Sequence, residues 1–264
     1  MKDLTISCIQ TDLAWEDKAT NLKKFETLFE QIPQDGHIIV LPEMFSTGFS
    51  MKPAPLAEKM DGPTVKWMQN QAQKLRKIIT GSIIIEEDDK YINRLIWMQP
   101  DGTFYYYDKR HLFAFAGENN EYTAGNKKVI VQVNGWKINL QVCYDLRFPV
   151  WARQSPPKEN SAASYDLLIY VANWPQRRIK AWDTLLAARA IENQCYVVGV
   201  NRIGNDANDI YHDGSSSVFD PWGATIWNCK DKEAVFTTTL SAEKLLEART
   251  KFPFLRDGDQ FLIP

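Results

Sequence analysis

Short apolar runs separated by helix-patterned stretches recur along the whole chain of 264 residues, and that alternation constrains the fold more than any other feature. Leu4–Gln10 alternates apolar and polar side chains and reads as a strand. Asn21–Ile32 carries Leu22, Phe25, Leu28, Phe29 and Ile32 at helical spacing and is ended by Pro33. His37–Leu41 is a short buried strand stopped by Pro42, and Thr64–Lys77 is a helix with Pro63 just ahead of it. Ile78–Ile85, Tyr91–Met98 and Thr103–Tyr107 follow as strands, the last two joined by the turn Pro100-Asp101-Gly102.

The second half repeats the theme. Val129–Val133 and Trp136–Val142 flank Asn134-Gly135, a dipeptide suited to a tight hairpin because both residues accept positive φ. Leu167–Val171 and Cys195–Val200 read as buried strands on either side of a helix over Lys180–Asn193. Ser216–Phe219 and Ala224–Trp227 form a second hairpin, Val235–Leu240 a last strand, and Ala242–Ala248 a last helix. The tail from Phe252, rich in Pro, Asp and aromatics, either packs on a surface, packs on a second subunit or stays disordered. Hairpins mixed with strand–helix alternation point to a single-domain, layered α/β sandwich over a doubly wound sheet.

Composition removes several function classes. At 44% hydrophobic and 24% charged residues the chain can build a sizeable core and is too apolar for disorder. A net charge of −2 offers no basic field for nucleic acid or an anionic membrane. Apolar runs such as Ile83–Ile85 and Val197–Val200 are strand-sized, whereas a membrane span needs roughly 20 residues. The opening Met-Lys-Asp-Leu-Thr-Ile leads straight into a strand pattern without a signal-peptide core, so the expected location is the cytoplasm. Cys8, Cys143, Cys195 and Cys229 lie far apart with no CxxC pair, which argues against zinc and against a disulfide framework.

Few residues remain for chemistry. Of the three histidines, His37 opens a buried strand and reads as structural, while His212 sits in the polar stretch Asp206–Ser217 and reads as solvated. No GxSxG elbow, P-loop or GxGxxG occurs. Three reactive side chains stand out, each just past an apolar strand: Glu43, Lys109 and Cys143. Open α/β sheets bind ligands at the carboxyl ends of strands, so the three can converge on one crevice. Taken singly, Glu43 is more often a strand-end or capping carboxylate, Lys109 is usually a solvated turn residue and Cys143 is somewhat more often a small core hydrophobe. Asp145, Arg147 and Pro149 follow Cys143 closely and suggest a turn that exposes the thiol near charge. Cys8 and Cys195 lie inside apolar strands and read as inert.

Leu41-Pro42-Glu43-Met44-Phe45, Tyr107-Asp108-Lys109-Arg110-His111-Leu112-Phe113 and Val142-Cys143-Tyr144-Asp145-Leu146-Arg147-Phe148-Pro149 resemble motifs of the nitrilase, or carbon-nitrogen hydrolase, superfamily. Ala172-Asn173-Trp174-Pro175, Ala188-Arg189-Ala190-Ile191-Glu192-Asn193, Asn201-Arg202 and Gly214–Gly223 agree as well. The resemblance covers residues 3–255 and leaves 256–264 as a C-terminal tail. It implies an α-β-β-α sandwich, a homodimer or higher homo-oligomer, and a Glu-Lys-Cys triad of Glu43, Lys109 and Cys143 that needs no metal or organic cofactor. It also implies a second glutamate that orients the lysine. Glu118, seven residues before Gly125, fits that position, with Glu121 as the alternative.

In such a site a cysteine thiolate splits amide cleavage into thioester formation and thioester hydrolysis. Glu43 is then the expected base, and Lys109 with the backbone N–H of Tyr144 the expected oxyanion donors. The local motifs look most like the omega-amidase branch, which implies the keto-acid monoamides 2-oxoglutaramate and 2-oxosuccinamate as substrates. The distal carboxylate of such a substrate needs a cation, because burying an unpaired charge is costly. Arg177 and Arg178 are candidates, with Phe113, Phe115 and Trp174 walling the pocket. Alternatively both arginines are solvated at a helix start. Arg147 is a third candidate, or it orders the Cys143 turn or a subunit contact. The rival readings are a nitrilase or another short-amide hydrolase of the superfamily, and a binding protein that keeps the fold without chemistry. Acyl transfer of the lipoprotein-processing kind is disfavoured by the absence of apolar spans.

Overall fold

The computed structural model describes residues 1–156 and 163–261. In chain order the first half runs β1 (Leu4–Gln10), α1 (Lys18–Phe29), β2 (Ile38–Val40), α2 (Pro63–Leu75), β3 (Ile78–Glu87), β4 (Lys90–Met98), β5 (Phe104–Asp108) and the single turn α3 (Glu118–Glu121). Then come β6 (Ile130–Val133), β7 (Trp136–Val142), α4 (Pro149–Ala152), β8 (Leu167–Ala172), α5 (Ile179–Asn193), β9 (Tyr196–Asn201) and β10 (Ile203–Asn205). The chain closes with β11 (Tyr211–Phe219), β12 (Thr225–Lys230), β13 (Ala234–Leu240) and α6 (Ala242–Lys251).

Two mixed sheets result, one in the order β13-β1-β2-β3-β4-β5 and the other β10-β11-β9-β8-β7-β6 with β12 paired to β11. Within the first, β1, β2 and β3 are parallel. Within the second, β7, β8 and β9 are parallel. The two-residue side-chain period of a strand explains the layering. Leu4, Ile6, Cys8, Ile38, Val40, Leu95 and Trp97 join one cluster with Ile138, Leu140 and Val198 of the second sheet. Their strand neighbours Ile9, Ile39, Ile79 and Ile83 pack instead with Phe25 and Phe29 of α1 and Met68 of α2. Trp182, Leu186 and Ala190 of α5 and Leu245 of α6 cover the second sheet, giving helix, sheet, sheet, helix. Gly199 in β9 permits the α5 contact: a Cβ there would stand 2.5 Å from Leu186 Cδ1 and 2.7 Å from Trp182 Cζ2.

The patterned elements agree with the structure except at ends where polar residues decide. The first helix starts at Lys18, earlier than its apolar spacing suggests, because Asp17 caps it and accepts the Thr20 N–H at 3.0 Å. The hairpin at Asn134-Gly135 forms with both residues at positive φ, 50° and 83°. The reading of His212 is overturned. His212 is not solvated but 3% exposed, because the polar stretch around it is a strand. It pairs antiparallel with β10, Gly204 opposite His212, a pairing between polar residues that hydrophobic alternation does not reveal. The start of the tail, residues 252–255, docks on its own chain, and residues 262–264 lie outside the described residues. Gln194, the left-handed C-cap of α5, donates to the Phe252 carbonyl at 2.6 Å and accepts the Leu255 N–H at 3.3 Å.

Candidate active site

Four strand ends meet between the sheets. Glu43 lies just beyond β2, Lys109 directly follows β5, Cys143 directly follows β7 and Asn173 directly follows β8. Two of these junctions are sharp: Met44 and Cys143 have φ of 43° and 46°, in the left-handed region that residues with a Cβ seldom occupy. Cys143 opens a 3-10 turn, Cys143–Arg147. Asp145, buried, fixes that turn. Its Oδ2 accepts the Val142 N–H at 3.0 Å and the Tyr107 hydroxyl at 2.8 Å, and its Oδ1 accepts the His111 N–H at 2.9 Å. His111 Nδ1 lies 2.7 Å from the same Oδ1, and its ring stacks on Phe148 at 3.8 Å. Asp145 therefore ties the cysteine elbow to the segment that carries Lys109, rather than presenting charge beside an exposed thiol. The thiol itself is not exposed: Cys143 is 8% accessible.

Glu43, Lys109 and Glu118 are fully buried and in contact. Lys109 Nζ is 2.9 Å from Glu43 Oε1 and 2.9 and 2.8 Å from the two oxygens of Glu118. Glu118 also accepts the Phe113 N–H at 2.5 Å, and Glu43 Oε2 accepts the Asn173 N–H at 2.9 Å. Glu121 is exposed, so Glu118 is the glutamate that touches the lysine. Gly125 accounts for the approach of this segment, since a Cβ there would lie 2.3 Å from the Asp108 carbonyl oxygen.

Burial and charge compete in this cluster. Burial pulls the Lys109 ammonium down, but Glu118 and Glu43 outweigh it and hold it above the ordinary lysine range. Burial pushes the Glu118 carboxyl up, with Lys109 opposing and Glu43 adding to the rise. The Cys143 thiol is pushed well above the usual range by burial and then by the Glu43 charge, while Lys109 pulls the other way. Burial and the Glu43 charge thus favour the neutral thiol over the thiolate.

Cys143 forms part of the lining of a cavity of about 490 Å³. Tyr144, Phe113 and Trp174 line it too, and Phe115, 82% exposed, stands at its mouth rather than in its wall. Arg147, Arg177 and Arg178 all reach this cavity. The Arg178 guanidinium lies 4.9 Å from the Phe113 ring centre and that of Arg147 5.0 Å from Trp174. Among the described residues none of the three has a carboxylate within 4.0 Å, although Arg94 has two and Arg189, Arg202 and Arg249 have one each. Burial, and then the neighbouring Arg177, lowers the Arg178 pKa.

Three site residues escape a reading based on reactive types. Asn93 donates to Glu43 Oε1 at 2.8 Å from within β4. Asn173, besides its backbone N–H, donates its side chain to the Glu43 carbonyl at 2.5 Å. His212 lines the cavity from β11. For Asn93 a signal existed: a polar amide inside the apolar strand Tyr91–Met98. Among the described residues no cluster of three or more His, Cys, Asp or Glu side chains is arranged to hold a metal ion. No helix among them is long and apolar enough to cross a membrane.

The family model for carbon-nitrogen hydrolases matches residues 5–250. The chain belongs to that family. Among related hydrolases, the omega-amidase YafV of Yersinia enterocolitica is 43% identical over 264 residues, all of both chains. The 2-oxoglutaramate amidase of Bacillus subtilis is 30% identical, with 96% of each chain covered. A solved CN-hydrolase superfamily protein from Xanthomonas campestris, described with an arsenic adduct in its active site, superposes with a TM-score of 0.97 at 45% identity over the whole of both chains. The hydrolase thus has the α-β-β-α architecture of its family.

Proposed function

We propose that this hydrolase removes the terminal amide of small keto-acid monoamides, 2-oxoglutaramate and 2-oxosuccinamate, to give the dicarboxylate and ammonia through a thioester on Cys143. The observation that carries the substrate class is the set of three cavity arginines without a carboxylate partner, beside a buried thiol. An anionic amide fits that charge, and Arg178, less exposed than Arg177, is the residue assigned to its carboxylate. Phe113, Trp174 and the rim residue Phe115 enclose the carbon chain.

Glu43 takes the thiol proton as sulfur attacks the amide carbon. The displaced electron pair settles on oxygen, where Lys109 and the Tyr144 N–H receive it. That N–H belongs to the opening of a helical turn, whose first donors have no carbonyl within the turn. The three ammonium protons of Lys109 face Glu43 Oε1 and both oxygens of Glu118, so the lysine acts on the developing oxyanion through its positive charge. Collapse breaks the C–N bond, and Glu43 returns the proton to departing ammonia. Glu43, ionised again, removes a proton from water as its oxygen attacks the thioester. The C–S bond breaks and the sulfur regains its proton. Glu118 holds the lysine charged and fixed throughout. No step draws on a metal or an organic cofactor.

We also assign the protein to the cytoplasm as a homodimer or larger homo-oligomer. The exposed apolar side chains Ile191, Trp222, Phe252 and Phe254 support self-association. The deciding experiment follows ammonia and keto-acid release from 2-oxoglutaramate, 2-oxosuccinamate and glutamine. Hydrolysis of the keto-amides alone, abolished by Cys143→Ala, is expected. Turnover confined to nitriles or other amides would overturn the substrate assignment, and full activity in the variant would overturn the nucleophile.

A further inference from the structure

Two carboxyl groups in the buried cluster share a single ammonium, and one neutral side chain touches both of them. Asn93 is fully buried, with Nδ2 2.8 Å from Glu43 Oε1 and 3.3 Å from Glu118 Oε1. Each of those oxygens also accepts from Lys109 Nζ at 2.9 Å. Amide and ammonium therefore straddle the same pair of oxygens from two sides. The Asn93 carbonyl accepts the Lys109 N–H at 3.0 Å, which fixes the two donors relative to one another. The side-chain Oδ1 of Asn93 is buried with no partner among the described residues, so the residue burdens the core except through its amide N–H groups.

We infer that Asn93 is a positioning residue for the hydrolytic reaction. Its shared NH2 keeps Glu43 Oε1 and Glu118 Oε1 side by side against Lys109, while Glu43 Oε2 accepts the Asn173 N–H. The inference rests on the proposed role of Glu43 as base. A neutral donor favours the ionised form of any carboxylate it touches. Without it, the two acids repel across one ammonium and the base form of Glu43 is harder to reach. The other titratable groups facing Glu43 are Lys109 after β5, Glu118 and Tyr122 from the turn around α3, and Cys143 after β7. Of these, Glu118 also loses the Asn93 donor on substitution, whereas Lys109, Tyr122 and Cys143 have no side-chain hydrogen bond to Asn93.

The test uses Asn93→Ala and Asn93→Asp, each assayed in two ways: steady-state hydrolysis of the keto-amide against pH, and iodoacetamide alkylation of Cys143 against pH. For Asn93→Ala, kcat is expected to fall about 10- to 100-fold. KM should change little, because Asn93 does not line the cavity. The acid limb of kcat/KM is expected to move up by about one pH unit, and the alkylation profile with it. Asn93→Asp keeps the shape but replaces the donor by a third carboxyl, so its loss is deeper and recedes toward acid pH. A lower rate with both pH profiles unmoved means a merely structural residue and overturns the inference. If the alanine variant does not fold, the isosteric aspartate variant decides by the same criterion. If the wild type ignores keto-amides, the substrate assignment fails, while the alkylation profiles still decide the role of Asn93.

Discussion

Replacing His212 by asparagine should remove a pH dependence from the folding stability of this hydrolase. The imidazole is 3% exposed, and its Nδ1 lies 2.9 Å from the Ile210 carbonyl oxygen. Burial, reinforced by the charge of Arg202, pushes its pKa from the ordinary 6.5 down to about 4. Between those values the unfolded chain binds a proton that the native protein refuses. Stability is therefore full above pH 6.5 and falls as the pH drops, the loss being complete near pH 4. At 1.36 kcal/mol per pH unit the displacement amounts to about 3 kcal/mol. Asparagine keeps an N–H for the Ile210 carbonyl and does not titrate. Lost packing lowers its stability at every pH, so only the change with pH is diagnostic. Urea unfolding at about pH 7.5 and about pH 4.5 should show the gap between wild type and variant closing by about 2–3 kcal/mol at the acid end. A gap that stays constant to within about 0.5 kcal/mol would refute the argument that this imidazole is buried neutral.

Two further substitutions separate charge from shape in the site. Glu118→Gln keeps the volume but turns an NH2 toward either Lys109 or the Phe113 N–H, both donors; kcat should drop about 100-fold with KM nearly unchanged in steady-state assays. Arg178→Ala should raise KM for the keto-acid amide about 10- to 100-fold while leaving kcat within a few-fold, and Arg177→Ala should do less because that side chain is more exposed.

Much of this protein was legible before any coordinates. The strands around Ile39, Ile79, Leu140 and Val198 show themselves because they are apolar on both faces, as strands between a helix layer and another sheet must be. Glu43, Lys109 and Cys143 were visible because a reactive side chain just past an apolar strand has one obvious place to go. Asn93 and His212 were not. Each sits on a strand where its neighbours give it a partner: the amide of Asn93 stands out inside an apolar strand but does not say what it meets, and an imidazole in a polar stretch carries no signal alone. Asp145 was visible but misread: its charge points into its own turn, because Val142, Tyr107 and His111 supply the donors.

By itself the sequence determined the layered architecture, the family and the placing of Glu43, Lys109 and Cys143 just past strand ends, since these depend on periodicity and on residue types at fixed places along the chain. Only the tertiary structure decided that Glu118 rather than Glu121 meets the lysine and that His212 is walled in. The tertiary structure likewise decided that three arginines share a cavity without a counter-ion. Those facts depend on which strand ends and turns come within a few ångströms of each other. Hydrogen bonds, desolvation and charge pairing act over that range, whatever the separation along the chain.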